Sequence, residues 1–184
     1  MATIEAPESK FKPHPEGQFL ATLRDNWLDT RPNPWKGSAN DDGEIDERET
    51  ITELVLEFIT DHEIEVKGQM RNDTVRFKKT ASMFKNSALR KFVQGWFPTM
   101  GEDNFKRFDA DKLIGRGAYI TVKHNVSKNG SIFANVVVAM QPPKGSECPK
   151  VPADFVRHDD RATKVAEPTP AAPAVSDDED DLPF

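Results

Sequence analysis

The stretch GAYITVKHNVSKNGSIFANVVVAMQP, residues 117–142, decides the fold. Both sides of Ser127-Lys128-Asn129-Gly130 are rich in strand-forming Val and Ile, and before the turn Tyr119, Thr121 and Lys123 alternate with apolar residues, with the period of two typical of β-strands. The Asn-Gly pair favours a tight turn between two antiparallel strands. We therefore predict a β-hairpin here, and the weaker patterns of the chain are interpreted around it.

Upstream of the hairpin, several shorter stretches also have the pattern of strands. Residues 17–27 (GQFLATLRDNW) alternate, and residues 50–60 (TITELVLEFIT) alternate and are rich in β-branched side chains, which favours strand over helix. A further strand is predicted over residues 63–70, followed by a turn at Asn72-Asp73 and another strand over 74–79. Residues 51–80 are thus expected to form a meander, with Phe77 in the core.

One segment between the meander and the hairpin has the period of a helix instead. Leu89, Phe92, Val93 and Trp96 stand at i, i+3, i+4 and i+7, and these positions share one helix face. Asn86 or Ser87 can cap the helix, and Pro98 ends it. The resulting order of strands and helix is that of an OB-fold, so we predict an all-β protein with one helix, built as a five-stranded Greek-key barrel.

Composition along the chain suggests one domain with two flexible ends. Residues 1–16 contain Pro and no apolar period, so they are predicted to be a flexible N-terminal arm. Residues 17–145 form the predicted barrel domain, with a long, acidic, mobile loop at 31–49. Residues 146–184 are rich in Pro, Ala and acid and are predicted to be a disordered tail ending in an acidic tip at 177–184.

The sequence gives no support for a metal site, a cofactor site or catalysis. Cys148 is the single cysteine and the four histidines are scattered, which excludes a disulfide framework and a zinc cluster. The acids of 31–49 lack the rigid scaffold that a two-metal nuclease site needs, and Gly115-Arg116-Gly117 lacks the residues of a phosphate-binding loop. We expect no enzyme activity and no cofactor. With no secretory signal and no apolar run of membrane length, a cytoplasmic protein without membrane partners is expected.

The charge is unevenly distributed, and this predicts a polyanionic partner. The net charge is -6, yet residues 67–130 carry 14 Lys and Arg against 5 Asp and Glu. Single-strand binders combine such cations with aromatic faces for base stacking. Alternation puts Arg76 with Lys78 on one strand face and Tyr119 with Thr121 and Lys123 on another, while Lys128 sits at the hairpin tip. With Phe133, which alternates outward, and Trp35, an exposed loop residue, the candidate DNA-binding set is Arg76, Lys78, Tyr119, Thr121, Lys123, Lys128, Phe133 and Trp35.

The sequence ends in SDDEDDLPF, residues 176–184, where acids precede an apolar anchor. Such a peptide fits an apolar pocket with a basic rim, because the acids steer it and the anchor and terminal carboxylate bind. The predicted partner-binding tip is Asp177, Asp178, Glu179, Asp180, Asp181, Leu182, Pro183 and Phe184.

This ending resembles the acidic tip of bacterial and phage single-stranded DNA-binding proteins, with Leu182 where the bacterial tip usually has Ile. Residues 108–136 (FDADKLIGRGAYITVKHNVSKNGSIFANV) are similar to the phage branch of these OB-fold proteins, whereas the 31–49 loop departs from the family. The resemblance implies a non-sequence-specific protein that coats single-stranded DNA during phage replication, recombination or repair in the host cytoplasm. It also implies that the tip recruits replication or repair enzymes. A protein-interaction module and an RNA-binding OB-fold protein remain alternatives, and a homo-oligomer is compatible with the sequence.

Overall fold

A computed structural model describes residues 12–39 and 43–165, and its main feature is a closed barrel. Five strands build it: β1 (Gly17–Pro32), β2 (Thr50–Val66), β3 (Gln69–Thr80), β4 (Gly117–Val126) and β5 (Ile132–Met140). The strand order is β1-β2-β3-β5-β4, and β4 pairs with β1 to close the barrel. All neighbours are antiparallel except β3 and β5. This Greek-key arrangement is compatible with an OB-fold, and the predicted fold class is confirmed.

Helix α1 (Ala88–Trp96) packs its apolar face into the barrel core. Trp96 is fully buried and its indole N–H donates to the carbonyl of Gly117 over 3.0 Å, while the Phe92 ring stacks on Phe77 at a centroid distance of 3.7 Å. Ser87 caps the helix, since its hydroxyl oxygen accepts from the backbone N–H of Arg90. The predicted core positions on this helix and at Phe77 are therefore confirmed.

The predicted turn at Asn72-Asp73 is wrong. β2 continues to Val66, and the chain reverses at Lys67-Gly68, where φ is 53° and 78°. Two consecutive positive φ values are the requirement of a type I′ hairpin turn, which glycine meets easily. Asn72 lies inside β3 instead, and its side-chain amide donates to the carbonyl of Thr60 over 2.8 Å. The register of β2 against β3 shifts between Ile59 and Glu63. This irregularity interrupts the alternation within β2, which is why the sequence pattern predicted two strands where the structure has one.

The connections around the barrel carry more structure than their composition indicates. Between β1 and β2, the side chain of Asn33 donates to the carbonyl of Arg48 over 3.0 Å, and Ala39 forms a β-bridge with Ile45. Between α1 and β4 lie the short helix α2 (Glu102–Lys106) and a 3₁₀ turn (Ala110–Leu113), which contribute Phe105 and Leu113 to the core. Within the described chain, no helix is long and apolar enough to span a membrane.

His14, in the predicted N-terminal arm, packs against the barrel. Its side chain is buried, with Nε2 2.9 Å from the Thr60 hydroxyl and its ring edge-to-face with Phe19 at 4.5 Å. The described part of the arm is thus attached to the barrel before β1 begins. The attachment has no periodic signal because it depends on individual contacts, namely the buried His14 side chain and the hydrogen bonds of His124 to the His14 carbonyl and the Glu16 carboxylate.

Residues 149–161, which the sequence assigns to the tail, also pack on the barrel. The Thr22 hydroxyl of β1 donates to the carbonyl of Pro149 over 2.6 Å, and helix α3 (His158–Val165) contacts β1. We name residues 149–161 the strap. The expected disordered region beyond residue 165, including the tip at 177–184, lies outside the described residues.

Candidate nucleic-acid interface

A groove of about 1160 Å³ lies where β3 and β5 face each other. Within the described chain these strands pair only at Arg76 and Asn135, so the sheet opens beside this point. The first turns of α1 and the loop after β1 form the other walls, and the buried rings of Phe77 and Phe92 reach its base. A β-bulge next to Val137 leaves both Val137 and Val138 partly exposed on the β5 wall. The result is an elongated surface with an apolar floor.

Two exposed aromatic side chains line this groove. Trp35, in the loop after β1, is 51% exposed, and Phe133, on β5, is 53% exposed. The backbone N–H of Trp35 donates to the side-chain oxygen of Asn33 over 3.0 Å, which fixes the turn that presents the indole. The predicted exposure of both residues is confirmed, and the structure brings them to one groove. Exposed rings of this kind are suited to stacking with nucleobases.

Four cations line the same groove, namely Arg31, Lys78, Lys79 and Lys91, against one acid among the described residues, Glu53. Lys79 and Lys91 form no ion pair within the described part of the chain. Sequence reasoning missed both. Lys91 lies on the exposed side of α1, and this position could have been identified from the helix period. By alternation Lys79 belongs to the face of β3 that points into the barrel, opposite Leu54. Its side chain is nevertheless exposed, because it lies near the end of the strand.

Arg76 lies on the outer face of the barrel and is already paired. Glu57 of β2, 3% exposed, receives Arg24 at 2.7 Å and Arg76 at 2.8 Å. Burial alone would raise the pKa of Glu57, but the two guanidinium groups outweigh it and hold the pKa below its ordinary value. The carboxylate therefore stays charged and neutralises part of the basic character expected at Arg76. Sequence alternation placed Arg76 with Lys78 correctly on one face but did not show which acids stand opposite.

Lys78 has the same kind of partners. Its ammonium lies 2.5 Å from Asp29 and 3.2 Å from Glu53, and Glu53 also receives Arg31 at 2.6 Å. The hydrogen bond to Asp29 raises the pKa of Lys78, and the hydrogen bond from Arg31 lowers that of Glu53. Lys78 thus lines the groove as a cation shared with two carboxylates.

The β4 residues of the predicted set flank the groove instead of lining it. Tyr119, Thr121 and Lys123 alternate with the buried Ala118, Ile120 and Val122, so they share the outer face as predicted. The Tyr119 hydroxyl donates to Gln18 over 3.1 Å. Lys123 stands opposite Asn135 and Thr121 opposite Val138, and both of these partners line the groove. Lys128 is exposed at the hairpin tip.

The described residues contain no cluster of His, Cys, Asp and Glu placed to hold a metal ion. Comparison of the sequence with models of known protein families finds no match, and comparison with curated proteins finds none either. The functional argument consequently depends on the groove and its surroundings.

Proposed function

We propose that this protein binds single-stranded DNA without sequence preference, in the groove between β3 and β5. The observation that carries the proposal is the meeting of two exposed aromatic rings, Trp35 and Phe133, with Lys79 and Lys91, two cations that have no ion pair among the described residues, along one groove. This combination supplies both elements of single-strand binding, which are stacking of bases and neutralisation of the phosphate backbone. The resemblance of residues 108–136 and of the tip to phage single-stranded DNA-binding proteins points in the same direction.

The groove chemistry favours single strands over duplexes. Every base has a π-face, so stacking on Trp35 and Phe133 tolerates any sequence. In a duplex those faces are already stacked on neighbouring base pairs, and the rings would have to separate them at a cost of a few kcal/mol per step. By binding unpaired DNA, the protein lowers the free energy of the unpaired state, which keeps exposed strands open for replication, recombination or repair. On this proposal it acts by mass action as a coat and performs no catalysis.

The acidic tip at 177–184 completes the proposal as a docking peptide. Its acids and its Leu-Pro-Phe end match a partner pocket that is apolar with a basic rim. Coating and recruitment are then combined in one chain, because replication or repair enzymes that bind the tip are brought to the strand that the barrel covers.

The test is a salt titration of the full-length protein with labelled oligo-thymidine, an equal-length duplex and oligo-uridine. We expect the deoxy single strand to bind more tightly than the duplex, with an affinity that falls with salt but keeps a salt-resistant part from stacking. The variant Trp35→Ala/Phe133→Ala should lose the salt-resistant part of the affinity. Phe84→Ala is the matched control, since Phe84 is 84% exposed and does not line the groove.

Three results would contradict the proposal in different ways. No binding of any strand at low salt would leave the protein-interaction module, with the tip as its docking element. Preference for the uridine strand would indicate an RNA-binding protein, because the 2′-hydroxyl is the group that distinguishes the two. Equal losses in the groove and Phe84 variants would place the strand elsewhere on the barrel.

A further inference from the structure

The strap places an imidazole ring on an outward-facing tryptophan. Trp27 of β1 and His158 at the start of α3 are stacked, with ring centroids 4.5 Å apart and an angle of 7° between the planes. This parallel arrangement is the one that a nucleobase adopts on an aromatic side chain. Arg76, from the predicted DNA-binding set, approaches the same indole at 5.1 Å. Sequence analysis did not select Trp27, since its strand position alone does not distinguish it from a core residue.

Asp25 holds the strap in this position. This carboxylate is 1% exposed, and the strap supplies two of its donors, the Arg157 guanidinium at 3.2 Å and the backbone N–H of His158 at 2.7 Å. Arg157 also reaches Asp111 at 2.6 Å. The side chains of Arg157 and Asp111 are 37% and 61% exposed, and ion pairs with this degree of exposure contribute little each. The strap is thus attached at its α3 end through Asp25, in its middle through Phe155, whose ring lies 4.6 Å below the Arg24 guanidinium, and at its start through the Thr22–Pro149 hydrogen bond.

A path across the outer face connects Trp27 with the groove. Trp27 stands opposite Val55, and Val55 stands opposite Lys78, which lines the groove. The three residues lie on adjacent strands in one row. A strand that continues from the groove along this row, over the side chains that cover the buried Val55, arrives at the indole that His158 covers.

We propose that Trp27 is a further nucleobase-stacking subsite, which the strap closes by stacking His158 in the place of a base. The inference rests on the proposed function and deepens it, because it makes the number of bases bound depend on the strap. When the strap moves away, a base stacks on Trp27 and the bound strand extends from the groove to β1. Asp25 shares the strand face of Trp27 and loses its Arg157 partner when the strap moves away, so its charge then disfavours phosphate there and the subsite recognises the base.

The test compares strap variants in the full chain by their binding to oligo-thymidine. Arg157→Ala/His158→Ala removes the stacked ring and the Arg157 ion pairs. Lys150→Ala is the matched control, since it removes the same positive charge from an exposed strap position. Loss of a cation by itself weakens DNA binding, so a gain in the double variant cannot come from charge. We expect the double variant to bind oligo-thymidine about 5- to 150-fold more tightly than the control, which is the range for one stacked base. This gain in affinity should persist at high salt.

Trp27→Ala in the double variant identifies the cause of the gain. If a base stacks on Trp27, this third substitution returns the affinity to that of the Lys150→Ala control. Unfolding temperature, measured in parallel, checks that the barrel is intact, and His158→Ala alone provides a milder second variant. The inference is overturned if both strap variants bind like the control, or if the gain persists without Trp27. Failure of the wild-type protein to bind any strand would instead refute the proposed function.

Discussion

Removal of the Glu57 carboxylate should weaken the fold and strengthen DNA binding at the same time. Glu57→Gln leaves Arg24 and Arg76 without the anion that they share. Breaking a fully buried ion pair costs about 3–5 kcal/mol, and we expect about 2–3 kcal/mol here, because the Arg76 side chain is 59% exposed and recovers hydration. For a chain of this size, that loss lowers the unfolding temperature by about 4–12 °C.

The effect on binding follows from the released charge on Arg76. If Arg76 contacts a phosphate, the variant makes about one more phosphate contact than the wild type. For single strands, each contact adds about 0.7 to the slope of log affinity against log salt. The ratio of the variant's affinity for DNA to that of the wild type should therefore decrease about 2.6-fold when salt rises from about 50 to about 200 mM.

The assay is fluorescence anisotropy of labelled oligo-thymidine over that salt range, with thermal unfolding of the same samples. Glu63→Gln is the control, since it changes the net charge equally at an exposed position of β2. Wild-type affinity and salt slope in Glu57→Gln, together with the expected loss of stability, would show that Arg76 has a structural role. An equal gain in Glu63→Gln would attribute the effect to net charge.

Four other predictions concern the groove, the arm and the tip. Trp35→Ala and Phe133→Ala should each weaken oligo-thymidine binding by about 1–3 kcal/mol in anisotropy titrations, and no loss would exclude stacking. Lys91→Ala should lower the salt slope by about 0.7, and an unchanged slope would exclude a phosphate contact. Burial lowers the pKa of His14 below 6.5, so the unfolded chain takes up the proton before the folded chain does as the pH drops. Urea melts should therefore show that the free energy of unfolding decreases as the pH is lowered through about 6.5, and that it decreases less in His14→Gln. Deletion of 177–184 should tighten DNA binding at low salt if the acids compete for the groove, and unchanged affinity would refute this.

Periodicity predicted the barrel because its elements carry strong local signals. Strand β4 alternates between buried and more exposed residues, the Asn-Gly turn marks the hairpin, and α1 has its apolar residues on one face. The errors fall where a single contact decides the structure. The turn at Lys67-Gly68 contains one glycine but no Pro, Asn or Asp, and the attachment of His14 depends on a long-range partner, Thr60. Neither feature has a period that a local pattern could show.

The candidate site was predictable in its residue types and less so in its pairing. Alternation identified Lys78 and Phe133 as outward-facing, and the loop context identified Trp35 as exposed. The acids that neutralise Lys78 come from β1 and β2, and the register that brings them opposite is a property of the assembled sheet. A net count over residues 67–130 therefore overstated the free positive charge on this face.

The distribution of that free charge indicates the order in which a strand engages the barrel. On β1, β2 and β3, four cations share three acids, which leaves little field to attract a polyanion. Three lysines without ion pairs among the described residues, Lys79, Lys91 and Lys123, lie in or beside the groove, and a fourth, Lys128, is exposed at the hairpin tip. Electrostatic steering acts at a distance, whereas stacking acts only on contact. A strand should therefore be captured at the lysine side first and should reach the strap-covered face later. On this reasoning, mutation of these lysines slows association, whereas mutation of Trp27 changes dissociation alone.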